Sequence, residues 1–381
     1  MDVRPPASPT GVRPYNTFLL VTLALCSLAG AWFMRISLAV HDAPVGFLDV
    51  VASGAHPNGI AIKKSYTGLK PLDDGLAMLV TAFLPGTAGW NEAFYWQQVH
   101  FLSQFTAMVA IMNVEACREK NRGRWIKYTA VWALLYQNIG GAIVVCIWWF
   151  LFHRISGQNS YFLSGRTVPV QYARLILPAT LVLYLGPTIA MFWPGQSISQ
   201  IQNFVALWQF APIFVNIPLW LAAPYVSSAP ASGAAKTADL PHLKVLYYVL
   251  FFVSMVSQGV VVFNVVASEE PGVELWRVFV PSSAHWLTSM DMGLLYIFQW
   301  DWIIIAIMHV LPGIIAVFDI QRFVPDIDTD NDRLLKGVYI VVALVALGGP
   351  GASLAAIWGF REEQLAVIEE RAEKAEVKKG N

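Results

Sequence analysis

Residues 245–267 form a run of 23 positions without one charged side chain. About 20 such residues span the hydrocarbon layer of a bilayer as a helix. Inside lipid every backbone N–H and C=O must be bonded within the protein, so an apolar run of this length folds as a helix. Comparable runs lie at 17–34, 99–117, 128–152, 171–193, 204–225, 300–318 and 336–358. Together they predict an all-α, polytopic membrane helix bundle with about eight transmembrane helices. The shorter run 76–84, stopped by Pro85-Gly86, predicts an interfacial or re-entrant segment. Charged residues make up 13% of the chain, about half the share of a soluble domain. The outer surface is therefore expected to face lipid.

The polar, Pro-rich residues 1–16 predict a disordered lead, 17–360 a single membrane domain, and 361–381 a charged C-terminal tail. The run 17–34 is expected to be retained as a span, because Arg35 follows it directly without a cleavage pattern. Prolines 178, 187, 212 and 218 predict kinked spans, and 227–238 a linker. A basic cluster (Arg118, Lys120, Arg122, Arg124, Lys127) and the tail predict that both termini lie in the cytosol. No internal repeat suggests transporter-style halves.

The net charge is zero, and nothing points to a nucleic-acid partner. Cys26, Cys117 and Cys146 have no CxxC spacing, so neither a disulfide framework nor a zinc site is expected. Asp73-Asp74 resembles half of a DDxxD metal site, but the third acid is missing. The acidic run 326–332 alternates like a calcium loop yet lacks its closing Glu, and reads as a solvated loop. P-loop, GxGxxG and GxSxG motifs are absent, and no cofactor or metal is expected.

Two acids stand out. Asp301, in Tyr296-Ile-Phe-Gln-Trp-Asp-Trp302, opens a span between Trp300 and Trp302, with Phe298 and Tyr296 just before. An acid at that depth is costly and suggests function; the plainer reading is a helix cap. A neutral carboxyl in an aromatic pocket is what a general acid needs. Glu115 ends an earlier span, three residues before Arg118, where an interfacial ion pair is the plain alternative. Asn113 is near enough to share its network. His309 lies two turns below Asp301, and Asp291 is a reserve acid. The aromatic excess, with 15 tryptophans, suits interface belts and also a pocket that stabilises a cation. These residues alone fit proton chemistry on a greasy substrate, as in a lipid or sterol isomerase, and equally a non-catalytic transporter or receptor.

Val114-Glu-Ala-Cys-Arg-Glu-Lys-Asn-Arg-Gly123, together with Phe298-Gln-Trp-Asp-Trp302, resembles the fungal integral-membrane terpene cyclases, in particular their longer branch, similar to cyclases of ascochlorin-type and paxilline-type clusters. That resemblance implies metal-free, acid-initiated cyclisation of a prenylated meroterpenoid or indole-diterpenoid precursor, often begun on an epoxide. It implies a location in the endoplasmic-reticulum membrane of a fungus, with a hydrophobic small-molecule substrate and the lipid bilayer as partners. The family's two acids fall on Glu115 and Asp301. The long connection at 41–98 and the charged tail depart from the short-branch pattern.

Overall fold

A computed structural model describes residues 10–323 and 331–380. Among these the chain is mainly helical, with two isolated β-bridges and no strand. We number the main helices α1 (Asn16–His41), α2 (Lys70–Thr87), α3 (Glu92–Cys117), α4 (Thr129–Ile139), α5 (Gly141–Ser156), α6 (Val170–Met191), α7 (Ile198–Trp208), α8 (Ala211–Tyr225), α9 (Leu240–Ala267), α10 (Met290–Phe323) and α11 (Asn331–Gly380). The protein is an all-α, polytopic bundle.

Among the described residues, fewer helices than eight meet the length and hydropathy of a span. Asn16–His41, Val170–Met191, Gly233–Ala267, Met290–Phe323 and Leu335–Ala375 do, and α7 with α8, bent by 47°, make a sixth. The expected span 128–152 is divided where the helix stops at Gly140, leaving the 16-residue α5. The expected span 99–117 lies on α3, which carries too many polar residues to count as apolar. It is instead the central post of the bundle, buried from Ala93 to Glu115 along most of its faces and packed on α2, α9, α10 and α11. Buried Gln97, Gln98, His100, Gln104 and Asn113 face other helices there, where lipid would not tolerate them.

The last expected span does not cross the bundle as one rod. In an unbroken helix Val341 and Ser353 would stand about 18 Å apart. Instead the Ser353 hydroxyl donates to the Val341 carbonyl over 3.2 Å. The helix turns back at Gly349, whose φ of 84° and ψ of 167° are essentially open to glycine alone. At this turn Gln104 Oε1 accepts the Gly351 N–H (2.8 Å), while its Nε2 donates to the Ser254 carbonyl (2.8 Å). The returning limb carries Arg361 and Glu362 back into the bundle, both buried. The segment read as a charged tail is thus helical to Gly380, with Leu365 and Ile368 also buried.

Arg13, in the expected disordered lead, is buried and paired with Asp319 at the end of α10 (2.6 Å). It also donates to the Ser156 carbonyl (3.1 Å), while Arg361 lies over Phe152, 5.7 Å from the ring centre. Arg13 and Arg361 therefore meet the last turns of α5 at one end of the bundle. Residues 326–330 of the acidic run lie outside the described residues.

The turn at Gly349 supplies the first prediction. A Cβ there would stand 2.5 Å from Gln104 Nε2, in a strained backbone conformation. Gly349→Ala should cost about 1–3 kcal/mol, read as a lower melting temperature of the detergent-solubilised protein. An unchanged melting curve would refute the fold-back.

Candidate active site

The end of the bundle opposite Arg13 contains a cavity of about 930 Å³. Its walls come from α1, the short helix Phe47–Ser53, α2, α3, α4, the α7–α8 corner and α10. Phe83, Phe101, Phe105, Trp208, Phe210 and Phe298 give it an aromatic lining. This size and character suit a largely apolar ligand.

Asp301 is set in the cavity wall. Its Oδ1 accepts the Ala142 N–H at 2.5 Å, so it caps the first turn of α5 from a different helix. Glycine at 141 permits this approach: a Cβ there would meet Ile305 Cδ1 at 2.5 Å and Asp301 Oδ1 at 3.1 Å. The Gly141 amide also lies by this carboxyl, and Oδ2 accepts no hydrogen bond of normal geometry among the described residues. Arg35 also lines the cavity and donates to the Met34 carbonyl (3.0 Å). Asp42 and Asp49, two further lining acids, are exposed at the rim.

The aromatic neighbours of Asp301 are not those adjacent in sequence. Successive helix positions point about 100° apart. Trp300 stacks on Phe33 (3.7 Å, interplanar 1°), and Trp302 packs against His100 and Phe101. Neither indole lines the cavity. Residues three, four and seven positions away do: Leu294, Ile297, Phe298 and Ile305. Phe298 is held edge-on by Phe83 and Phe94, at 4.8 and 5.0 Å. Tyr296 stacks on Trp286 (4.7 Å) and faces a second, polar pocket of about 540 Å³ on the far side of α10.

Glu115 stands apart from this cavity, about 15 Å along α3 from Phe105. Its Oε1 accepts from Arg118 Nη2 (2.9 Å), Arg361 Nη1 (2.9 Å) and Trp358 Nε1 (3.0 Å). Its Oε2 accepts from Arg118 Nε (3.1 Å) and the Tyr161 hydroxyl (3.4 Å). Arg118 also grips Glu362 with two bonds, of 3.0 and 2.7 Å. Arg166 ties Glu362 (2.6 Å) to Asp239 (2.8 Å). The two acids singled out in the sequence thus occupy separate sites.

The remaining candidates are also dispersed. Asn113 Oδ1 accepts from Thr129, whose hydroxyl also meets Asn216, linking α3, α4 and α8. His309 is buried, with Nδ1 2.7 Å from the Ile305 carbonyl, and does not line the cavity. Asp291 sits in the first turn of α10, about 15 Å of helical rise before Asp301. Asp73 accepts the Tyr66, Thr67 and Gly68 amides and the Thr67 hydroxyl, while Asp74 pairs with Lys70. Both acids of the half motif are thereby accounted for. Sequence reading missed Phe83, Phe101, Phe105, Tyr136 and Trp208. One available signal was Gly140-Gly141, a helix break inside an apolar run, where exposed amides can meet an acid.

Residues 19–366 match the CtvD domain. The chain belongs to the CtvD domain family. It is 25% identical to terpene cyclase DEP1 of Alternaria brassicicola, over 90% of this chain and 97% of that protein. It is 24% identical to terpene cyclase ctvD of Aspergillus terreus, over 68% of this chain and 77% of that one. A third relative, the FAD-dependent monooxygenase anuJ of Penicillium roqueforti, is 26% identical over 73% of this chain, but the match spans only 33% of that protein. No solved structure matches. This CtvD-family chain is an enzyme of the terpene cyclase type, with several helices long and apolar enough to cross a membrane.

The Glu115 cluster can be tested without substrate. Removing one partner of a buried ion pair costs about 3–5 kcal/mol. Glu115→Gln leaves Arg361 without its carboxylate partner and should lower the melting temperature and the yield of folded protein. Wild-type stability in this variant would rule out the cluster as a structural tie.

Proposed function

We propose that this cyclase folds and closes a prenylated aromatic precursor, a meroterpenoid or indole-diterpenoid type of substrate, by protonating its terminal epoxide from Asp301. The observation that carries this reading is the placement of Asp301. It is a carboxyl in the wall of an aromatic cavity, with one oxygen held and the other unbonded. Protonated Oδ2 donates to the epoxide oxygen as the C–O bond opens, and a chain alkene attacks the carbon left electron-poor. Further alkenes carry the positive charge along the chain. Loss of a proton to the Asp301 carboxylate ends the sequence, so the product is an isomer of the substrate.

The held oxygen has a function in this scheme. As the proton leaves, negative charge develops on Asp301, at the N-terminal end of α5. The Ala142 amide and the helix dipole stabilise that charge in place. The cation meanwhile faces the rings of Phe83, Phe101, Phe105 and Phe298, each contributing about 0.5–2 kcal/mol. The same walls exclude the water that would quench it.

The epoxide has support from the monooxygenase-named relatives. Their match covers about a third of their length, so a cyclase-like segment is joined there to a longer chain with an oxygenase name. Oxygen insertion into an alkene is what makes an epoxide. We place Glu115 in the structural tie and assign the proton chemistry to Asp301. We also place the chain in the endoplasmic-reticulum membrane, with the basic 118–127 end toward the cytosol.

The test is a microsomal assay with the epoxides of a farnesylated phenol and a prenylated indole. Wild type should give a product of unchanged mass that LC–MS resolves from the substrate. Asp301→Asn keeps an oxygen for the Ala142 N–H but cannot donate as an acid, and should lower the rate at least about 100-fold at equal expression. Full activity in Asp301→Asn would refute the assignment.

A further inference from the structure

Among the polar groups of the cavity that the acid step does not use, one is a buried phenol, Tyr136. Of the four other buried tyrosines, three have their hydroxyls bonded, and the fourth, Tyr296, stands at the separate polar pocket beyond α10. Tyr161 donates to Glu115, Tyr184 to the Leu102 carbonyl (3.1 Å) and Tyr247 to Glu362 (3.5 Å). Tyr136 is comparably buried, at 6% exposure, and its ring is held perpendicular to Phe105 at 5.5 Å. Its hydroxyl bonds to no described residue, nor is it among the polar atoms sealed away from any partner. It opens into the cavity. Beside it the Gln137 amide donates to the main-chain and side-chain oxygens of Gln209 (3.1 and 3.3 Å), and its own oxygen receives no hydrogen bond. Polar groups from α4, Tyr136 and Gln137 among them, therefore interrupt a wall to which α2 and α3 contribute apolar side chains.

A phenol facing an apolar cavity without a partner is costly unless the ligand supplies one. A prenyl chain supplies none. In a prenylated aromatic epoxide the polar atoms are the epoxide oxygen, which meets Asp301, and those on the aromatic head. We propose that Tyr136 is the head-group contact of the cavity, donating its O–H to an oxygen on the aromatic ring of the substrate. The contact selects oxygen-bearing heads and sets which end of the substrate meets Asp301. This rests on the reading of the cavity as the substrate site. A pocket built to hydrogen-bond a polar group discriminates strongly against an analogue lacking it.

The probes are farnesylated phenol without an epoxide, which Asp301 has no epoxide to open, and farnesylbenzene, which lacks the hydroxyl. Binding is measured by equilibrium dialysis on the full chain in nanodiscs, for wild type, Tyr136→Phe and Asp301→Asn. Wild type should bind the phenol about tenfold more tightly. Tyr136→Phe keeps the ring and its packing, and should bind the two compounds about equally while melting like wild type. With the phenol epoxide, the same variant should raise KM and leave kcat nearly unchanged. Asp301→Asn should retain the binding preference. A wild type that binds both compounds alike, or neither, overturns the proposal, as does a preference that survives Tyr136→Phe. If the preference depends on Tyr136 but no isomer forms from any epoxide, the head-group site stands and the cyclisation scheme fails.

Discussion

Arg118 sits fully buried between Glu115 and Glu362, and the order of the bundle depends on that contact. A charge in the interior of a membrane protein must be paired or it is prohibitively costly. The pairing brings the end of α3, the returning limb of α11 and, through Arg166 and Asp239, the start of α9 to one level. It also brings Trp358 and Tyr161 onto the same carboxylate. Arg118 uses all three of its guanidinium nitrogens on these carboxylates, and this end of the molecule is closely tied. The chain can therefore leave the other end less tightly packed, and the aromatic cavity lies there.

In the cavity half the organising contact is the cap on α5. A continuous helix through residues 128–152 would bury its own amides in its own turns. Stopping at Gly140 exposes the first amides of α5 to the interior, where they need an acceptor. Asp301 provides it from α10. The plain reading of this acid as a cap is what the contact shows. The acid role proposed for Asp301 rests on the same side chain: one oxygen is fixed by a helix terminus, and the proposal uses the other. In that scheme the same terminus would stabilise the carboxylate left after proton transfer, with no rearrangement of the protein.

Several parts of this arrangement were legible in the sequence for physical reasons. Apolar runs are readable because lipid penalises any backbone that is not helical. Asp301 was readable because acids are rare at that depth. Its aromatic surroundings were not, because adjacency in sequence is the wrong neighbourhood on a helix: Trp300 and Trp302 point away, while Phe298 and Ile305 share its face. The direction of α11 was hidden too. An apolar run that turns back and one that crosses have the same composition, and the turn is marked only by Gly349-Pro350.

By itself the sequence determined that this chain is a helical membrane protein, and which acids lie within or beside its apolar runs. Those properties follow from transfer energies and backbone hydrogen bonding, which are local. Tertiary structure alone decided what each acid touches. Glu115 is enclosed by Arg118 and by Arg361, 246 residues away, whereas Asp301 faces open space beside a helix terminus. Whether a carboxyl is a tie or an acid depends on the groups that surround it, and here they come from distant parts of the chain.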